Sequence, residues 1–202
     1  MGGGVLNQYG TQIIDLVTHL TGQKAARIHC VLRTVRKTTP VIRGIRGITA
    51  DDVTVLSYET NTNCLVTVSL NGQSSSFAQE LTITGEEGQL VLRNASLYGR
   101  KFGLDNNVNS ASEELMHLDT KSGGNQELPD VYVAAYGQLF MHLKDRFLAV
   151  SSSLENNEAI PTNVTNNATP NVDLGTFEEA LHTTLIIEAA RQSSLEKGWV
   201  RL

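Results

Sequence analysis

The hydrophobic period of this chain changes twice along its length, and that change limits the folds open to it. Between residues 9 and 22, Ile13, Leu16, Val17 and Leu20 recur at i, i+3, i+4 and i+7, the stripe of an amphipathic helix. Asn7 or Thr11 stands where a helix cap belongs, and Gly22 where a left-handed residue ends a helix. From Lys24 to Lys101 the period falls to two and β-branched residues dominate. The spans 26–35, 52–60, 64–70, 77–84 and 89–93 read as strands, with 96–100 as a short sixth. Asn61-Thr62-Asn63 and Gly85-Glu86-Glu87-Gly88 supply short turns. With no helical segment between strands, the sheet must be mainly antiparallel.

Helical period returns at 130–149, where Tyr136, Phe140, Leu143 and Phe147 share one face. It returns again at 176–196, where Thr176 and Glu179 have the spacing of a capping box and Glu178 and Glu179 meet the positive end of the dipole. The expected fold is therefore α+β, an open, mainly antiparallel sheet with helices packed on one face. All 202 residues are expected to form a single domain. The segments 104–127 and 151–171, rich in Asn, Ser and other polar residues, read as exposed loops.

Composition excludes several function classes. Lys and Arg number 16 against 21 Asp and Glu, so the net charge of −5 gives no general attraction for nucleic acid. No apolar run approaches the ~18 residues of a membrane span. Cys30 and Cys64 are too few for a disulfide scaffold, and Cys30 reads as a buried free thiol. His19, His29, His117, His142 and His182 stand at no metal-binding spacing, so no metal site is expected. No Gly-x-Gly-x-x-Gly follows a strand, so no cofactor-binding residue is assigned. The basic group Arg33, Arg36, Lys37, Arg43 and Arg46 lacks interleaved aromatics and reads as a solvated loop rim. Asn94-Ala95-Ser96, Asn163-Val164-Thr165 and Asn167-Ala168-Thr169 fit the glycosylation triplet, a pattern that arises often by chance in such loops.

The start is unusual. Met1 leads directly into Gly2-Gly3-Gly4, without the basic and apolar regions of a secretory signal, so the expected compartment is the cytoplasm, with an extracellular one open to a full-length form. Three glycines lose the most backbone entropy on ordering and suit a loop inside a longer chain, so an N-terminal truncation is expected.

Several motifs, in order, carry a resemblance. Gly2-Gly3-Gly4-Val5-Leu6, Gly10, Ile13-Ile14-Asp15-Leu16 and Leu20-Thr21-Gly22 open the chain. Leu81-Thr82-Ile83-Thr84-Gly85-Glu86-Glu87-Gly88 follows, and Thr176-Phe177-Glu178-Glu179-Ala180, Ser193-Ser194 and Gly198-Trp199-Val200 close it. This series resembles the C-terminal domain of the Gfo/Idh/MocA oxidoreductases, and is most like the glucose-fructose oxidoreductase domain-containing proteins among them. The resemblance implies one half of a two-domain enzyme, whose missing Rossmann half would bind NAD(P). It further implies an open sheet face that packs against a second copy, giving a homodimer, and a sugar or polyol ligand. Within that resemblance Gln8 and Gln12 occupy the family's catalytic Asp and His positions. A neutral amide cannot serve as a general base, though it can hydrogen-bond a hydroxyl group. Gln8 and Gln12 are thus substrate-side candidates without a catalytic role. Two readings follow: the substrate-side domain of an oxidoreductase, inactive alone, or a non-catalytic binding or assembly module.

Overall fold

The computed structural model describes residues 3–37, 48–74, 78–94, 96–102, 113–118, 130–156 and 175–202. In chain order the elements are a π-helical turn (Leu6–Gly10), α1 (Thr11–Thr21), β1 (Ala25–Arg33), β2 (Val53–Thr60), β3 (Leu65–Asn71), β4 (Glu80–Thr84), β5 (Gly88–Arg93), β6 (Ser96–Lys101), β7 (Glu114–Leu118), α2 (Asp130–Glu155), α3 (Phe177–Glu196) and β8 (Val200–Arg201). Helices and antiparallel sheets combine as an α+β fold, as the periodicity predicts. The strands fall into two four-stranded sheets, ordered β3-β2-β1-β8 and β4-β5-β6-β7. They belong to two compact units, 1–75 with 175–202, and 76–174.

In the first unit β1 pairs antiparallel with β2, β2 with β3, and β8 with β1 at Arg27 and Ile28. Alternation sorts the side chains. Ile28, Cys30, Leu56, Tyr58 and Val68 lie on one face, buried with Ile14 and Val17 of α1 and Ile186, Ile187 and Ala190 of α3. This is the hydrophobic core, and it places both helices on one face of this sheet. Gly22 ends α1 at φ 65°, and its N–H donates to Thr18 O. The capping box opens α3 as the sequence predicts: Glu179 N–H donates to Thr176 Oγ1 and Thr176 N–H to the Glu179 carboxylate.

The opposite face carries Arg27, His29, Val31, Val55, Ser57, Leu65, Thr67 and Ser69. Val31, Val55 and Leu65 remain exposed there. Arg27 clasps Glu59 with two hydrogen bonds of 2.7 and 2.6 Å and stacks 4.9 Å from the Trp199 ring. Trp199 also sits 5.7 Å from His29.

The second unit differs from expectation in two places. Within 104–127, read as a loop, Glu114–Leu118 is a strand paired with β6. A β-bulge between Leu97 and Tyr98 accommodates it, and Met116 packs where a side chain at Gly99 would stand. The alternation of Glu114-Leu115-Met116-His117-Leu118 is too brief to stand out in so polar a stretch. Within 151–171, helix α2 continues through Glu155, since the serines at 151–153 bring no breaker; Ser152 and Ser153 donate to the carbonyls four residues back. In these two segments, residues 104–112, 119–127 and 157–171 lie outside the described residues. The α2 face formed by Tyr136, Phe140 and Phe147 is exposed, with the first two rings stacked at 6.5 Å.

Candidate functional site

The opening glycines close onto the sheet through one residue. Gly4 forms a bridge with Asp51 at φ 137°, and any side chain there would meet the Asp51 carboxylate, so only glycine suits the position. Asp51 then binds the start of the helix: its carbonyl accepts from Val5 N–H at 3.0 Å and its Oδ2 from Leu6 N–H at 2.8 Å. Thr54 Oγ1 donates to the same Oδ2 at 3.1 Å. A carboxylate at a helix N-terminus satisfies orphan amides and complements the dipole. The expected side-chain caps at Asn7 or Thr11 do not form. Instead Thr11 donates its hydroxyl to Asn7 O at 2.8 Å, because the turn begins earlier, at Val5 and Leu6.

Leu6–Gly10 winds as a π-helical turn before α1 begins. Such single turns are uncommon and recur at functional sites. Leu6 and Gly10 point into the core, which leaves Gln8 and Tyr9 on the outside. Gln12 follows in the first turn of α1 and is also exposed. The structure thus sets both glutamines at the solvent side of one continuous helical segment, four residues apart. Gln8 N–H donates to Gly4 O at 3.0 Å, so its backbone is fixed by the same glycine that meets Asp51. Arg191 of α3 reaches across and donates from Nη2 to Asn7 Oδ1 at 2.6 Å. Sequence reasoning assigned no role to Asp51 or Arg191, since both act through distant backbone and amide groups.

Neither glutamine brings a titratable group. Among the described residues no three His, Cys, Asp or Glu side chains group as metal ligands. Cys30 is buried and its thiol is pushed up to about 12 by burial, with Asp51 adding to it, so it is a poor nucleophile at neutral pH. Arg33, Arg36 and Lys37 are exposed on a rim, while Arg43 and Arg46 lie outside the described residues. That rim is fastened by Asp52, whose carboxylate accepts from Val35 N–H, Arg36 N–H and Gln73 Nε2; the Val35 and Arg36 bonds, above all, hold it below the usual carboxylate range. Asn94 occupies the β5–β6 turn, exposed at φ 52°; Asn163 and Asn167 lie outside the described residues.

Comparison with known proteins completes the description. The sequence profile of the GFO/IDH/MocA C-terminal domain matches residues 1–91. Glucose-fructose oxidoreductase domain-containing protein 2 of Mus musculus is 32% identical over 207 residues, covering 98% of this chain and 50% of that protein. The chain thus spans about half the length of the curated relatives it matches. Among solved structures, the super-repressor mutant of Gal80p from Saccharomyces cerevisiae superposes with a TM-score of 0.69 at 16% identity, over 99% of this chain and 50% of that one. An aldose-aldose oxidoreductase from Caulobacter crescentus, complexed with glycerol, gives 0.64 at 13% identity, over 99% and 48%. At these identities the structures speak for the fold. No helix among the described residues is long and apolar enough to cross a membrane.

Proposed function

The chain being a C-terminal domain of the Gfo/Idh/MocA oxidoreductase family, we propose that it is the substrate-side domain of an oxidoreductase-like protein, inactive by itself. It holds sugar or polyol hydroxyl groups through Gln8 and Gln12 and moves no proton there. Two exposed, uncharged amides on the first turns of the N-terminal helical segment carry this reading. Each carboxamide offers donors and an acceptor, the complement of a vicinal diol, and neither has a pKa for proton transfer. The glycerol complex of the Caulobacter protein supports the ligand class. Titration of the chain with glycerol and glucose, followed at the two side-chain amides, tests it.

A nicotinamide dinucleotide does not fit the described residues. A pyrophosphate needs free N–H groups at a helix N-terminus, and those of Val5 and Leu6 already bond Asp51. Every strand pair among the described residues is antiparallel, so none supplies the βαβ unit of a dinucleotide site. NAD(P) enters this reading only with a further nucleotide-binding domain.

The open face of the β3-β2-β1-β8 sheet is, in the same reading, the surface for a second copy. Val31, Val55, Leu65 and Trp199 are 37, 44, 65 and 46% exposed on it, while α1 and α3 cover the other side.

The lack of a titratable side chain at either glutamine also favours a second reading, a non-catalytic binding or assembly module. The likeness to Gal80p, a protein described as a super-repressor mutant, agrees with it. A form of the protein carrying a nucleotide-binding domain separates the two. Gln8→Asp combined with Gln12→His creates NADH- or NADPH-dependent turnover of an aldose under the first reading and none under the second.

A further inference from the structure

Asn7, immediately before Gln8, is held by two hydrogen bonds of its own, with a third on the residue before it. Its carboxamide oxygen accepts from Arg191 Nη2 at 2.6 Å, across 184 residues of sequence. Its carbonyl accepts from the Thr11 hydroxyl, and the neighbouring Leu6 N–H is held by Asp51. Arg191 itself stands on a firm base: Ile186, Ile187, Ala189, Ala190 and Ser193 bury the same stretch of α3, and Glu188 accepts from Nη1 at 3.4 Å.

A π-helical turn holds one residue more than the α-helical turn it replaces, with poorer hydrogen-bond geometry. Relaxation of Leu6–Gly10 into α-helical register would shift the residues before the turn by about one position, roughly 100° about the axis, and would turn Gln8, which lies inside the turn, through part of that angle relative to Gln12. The two amides keep their mutual placement only while this turn is held.

We propose that Arg191 is a positioning residue for the Gln8 and Gln12 end: its charge-assisted bond to Asn7 holds the π turn and sets how the two amides present themselves to a hydroxyl-bearing ligand. This rests on the reading of Gln8 and Gln12 as the ligand-facing pair. Thr11 and Asp51 supply the local and sheet-side anchors, and Arg191 supplies the one from the C-terminal helix.

Amide hydrogen exchange by NMR tests it, using Arg191→Ala, Asn7→Ala, their combination, and Asn7→Asp, which keeps an acceptor for the guanidinium. Each alanine variant is expected to speed exchange at Gln8, Tyr9 and Gly10 about tenfold, the scale of one lost charge-assisted hydrogen bond. The double variant adds nothing further, Ile28 and Leu56 in the core keep their rates, and Asn7→Asp behaves as the unsubstituted chain. Glycerol-induced shifts of the Gln8 side-chain amide are lost in Arg191→Ala and retained in Asn7→Asp. Unchanged exchange at the turn, equal acceleration in the core, or additive single effects would overturn the proposal. If exchange responds as expected but glycerol shifts neither glutamine in the unsubstituted chain, the ligand reading falls and the positioning role with it, while the tie itself stands.

Discussion

The hydroxyl of Ser193 accepts the amide hydrogen of Cys30 at 2.9 Å and donates its own to the carbonyl of Gly198 at 2.5 Å. The reason lies in the length of β8. That strand covers only Arg27 and Ile28 of β1, with Leu202 N–H adding a bond to Ala26 O, and the N–H groups further along would be buried or half-buried without partners. Ser193 takes the one at Cys30 and Ser194 the one at Leu32, at 3.0 Å. A helix side chain thereby finishes what a strand leaves undone.

Ser193→Ala removes that acceptor from a fully buried site and frees two backbone groups at once. We expect a loss of about 1–3 kcal/mol, read as a lower urea midpoint with an unchanged denaturant slope. A midpoint equal to that of the unsubstituted protein would show that water replaces the hydroxyl without cost.

Burial, and next to it the Lys24 ammonium, lowers the pKa of His182 below the ordinary histidine value of 6.5, and its Nε2 is buried without a protein partner. Lys24 and Glu179 lie close enough to interact electrostatically, so the surroundings of the ring are mixed in charge. The unfolded chain takes up a proton at a higher pH than the native one. The contribution of this histidine to stability is therefore fully present above pH 6.5 and declines as the pH falls below it toward the native pKa. His182→Gln should flatten this decline. Melting temperatures at pH 7.5 and 5.5 check it: the unsubstituted chain should lose more on acidification than the variant, and identical losses would contradict the assignment.

The open face of the first unit's sheet makes a prediction about assembly. Val55 sits on the middle of the exposed apolar strip, paired with Val31 on one side and Ser69 on the other. Val55→Arg places a charge where the second copy would pack, at no cost to the core face. Light scattering should give twice the chain mass for the unsubstituted protein and the single mass for the variant, with unchanged circular dichroism. A strict monomer before substitution would remove the dimer from the account.

Much of this was legible in the sequence because local rules and burial agree. The stripe Ile13, Leu16, Val17, Leu20 predicts α1, Gly22 marks its end, and Thr176 with Glu179 predicts the start of α3; each outcome depends on residues within one or two turns. What escaped the sequence depends on long-range partners. The two residues of β8 are too few to show a period, and they form a strand only because β1 has a free edge. Leu6–Gly10 departs from α geometry where Asp51, more than forty residues away, binds its first amides. The glutamines were identifiable as candidates by alignment of the glycines around them, whereas nothing local announces the contacts of Asp51 and Arg191, which reach the turn that carries Gln8 from far along the chain. Conversely, the alternation of Val66, Val68 and Leu70 with Thr67 and Ser69 suffices to say which side of β3 faces the core.

In the function proposed here, Gln8 and Gln12 hold hydroxyl groups and transfer no proton. Titration of the chain with glycerol, followed by NMR at every side-chain amide between pH 5 and 9, addresses it directly. Saturable shifts are expected at Gln8 and Gln12 above all other amides, with an affinity that does not change across that range, since neither group titrates. Shifts confined to other residues, or an affinity that rises and falls with pH, would contradict it.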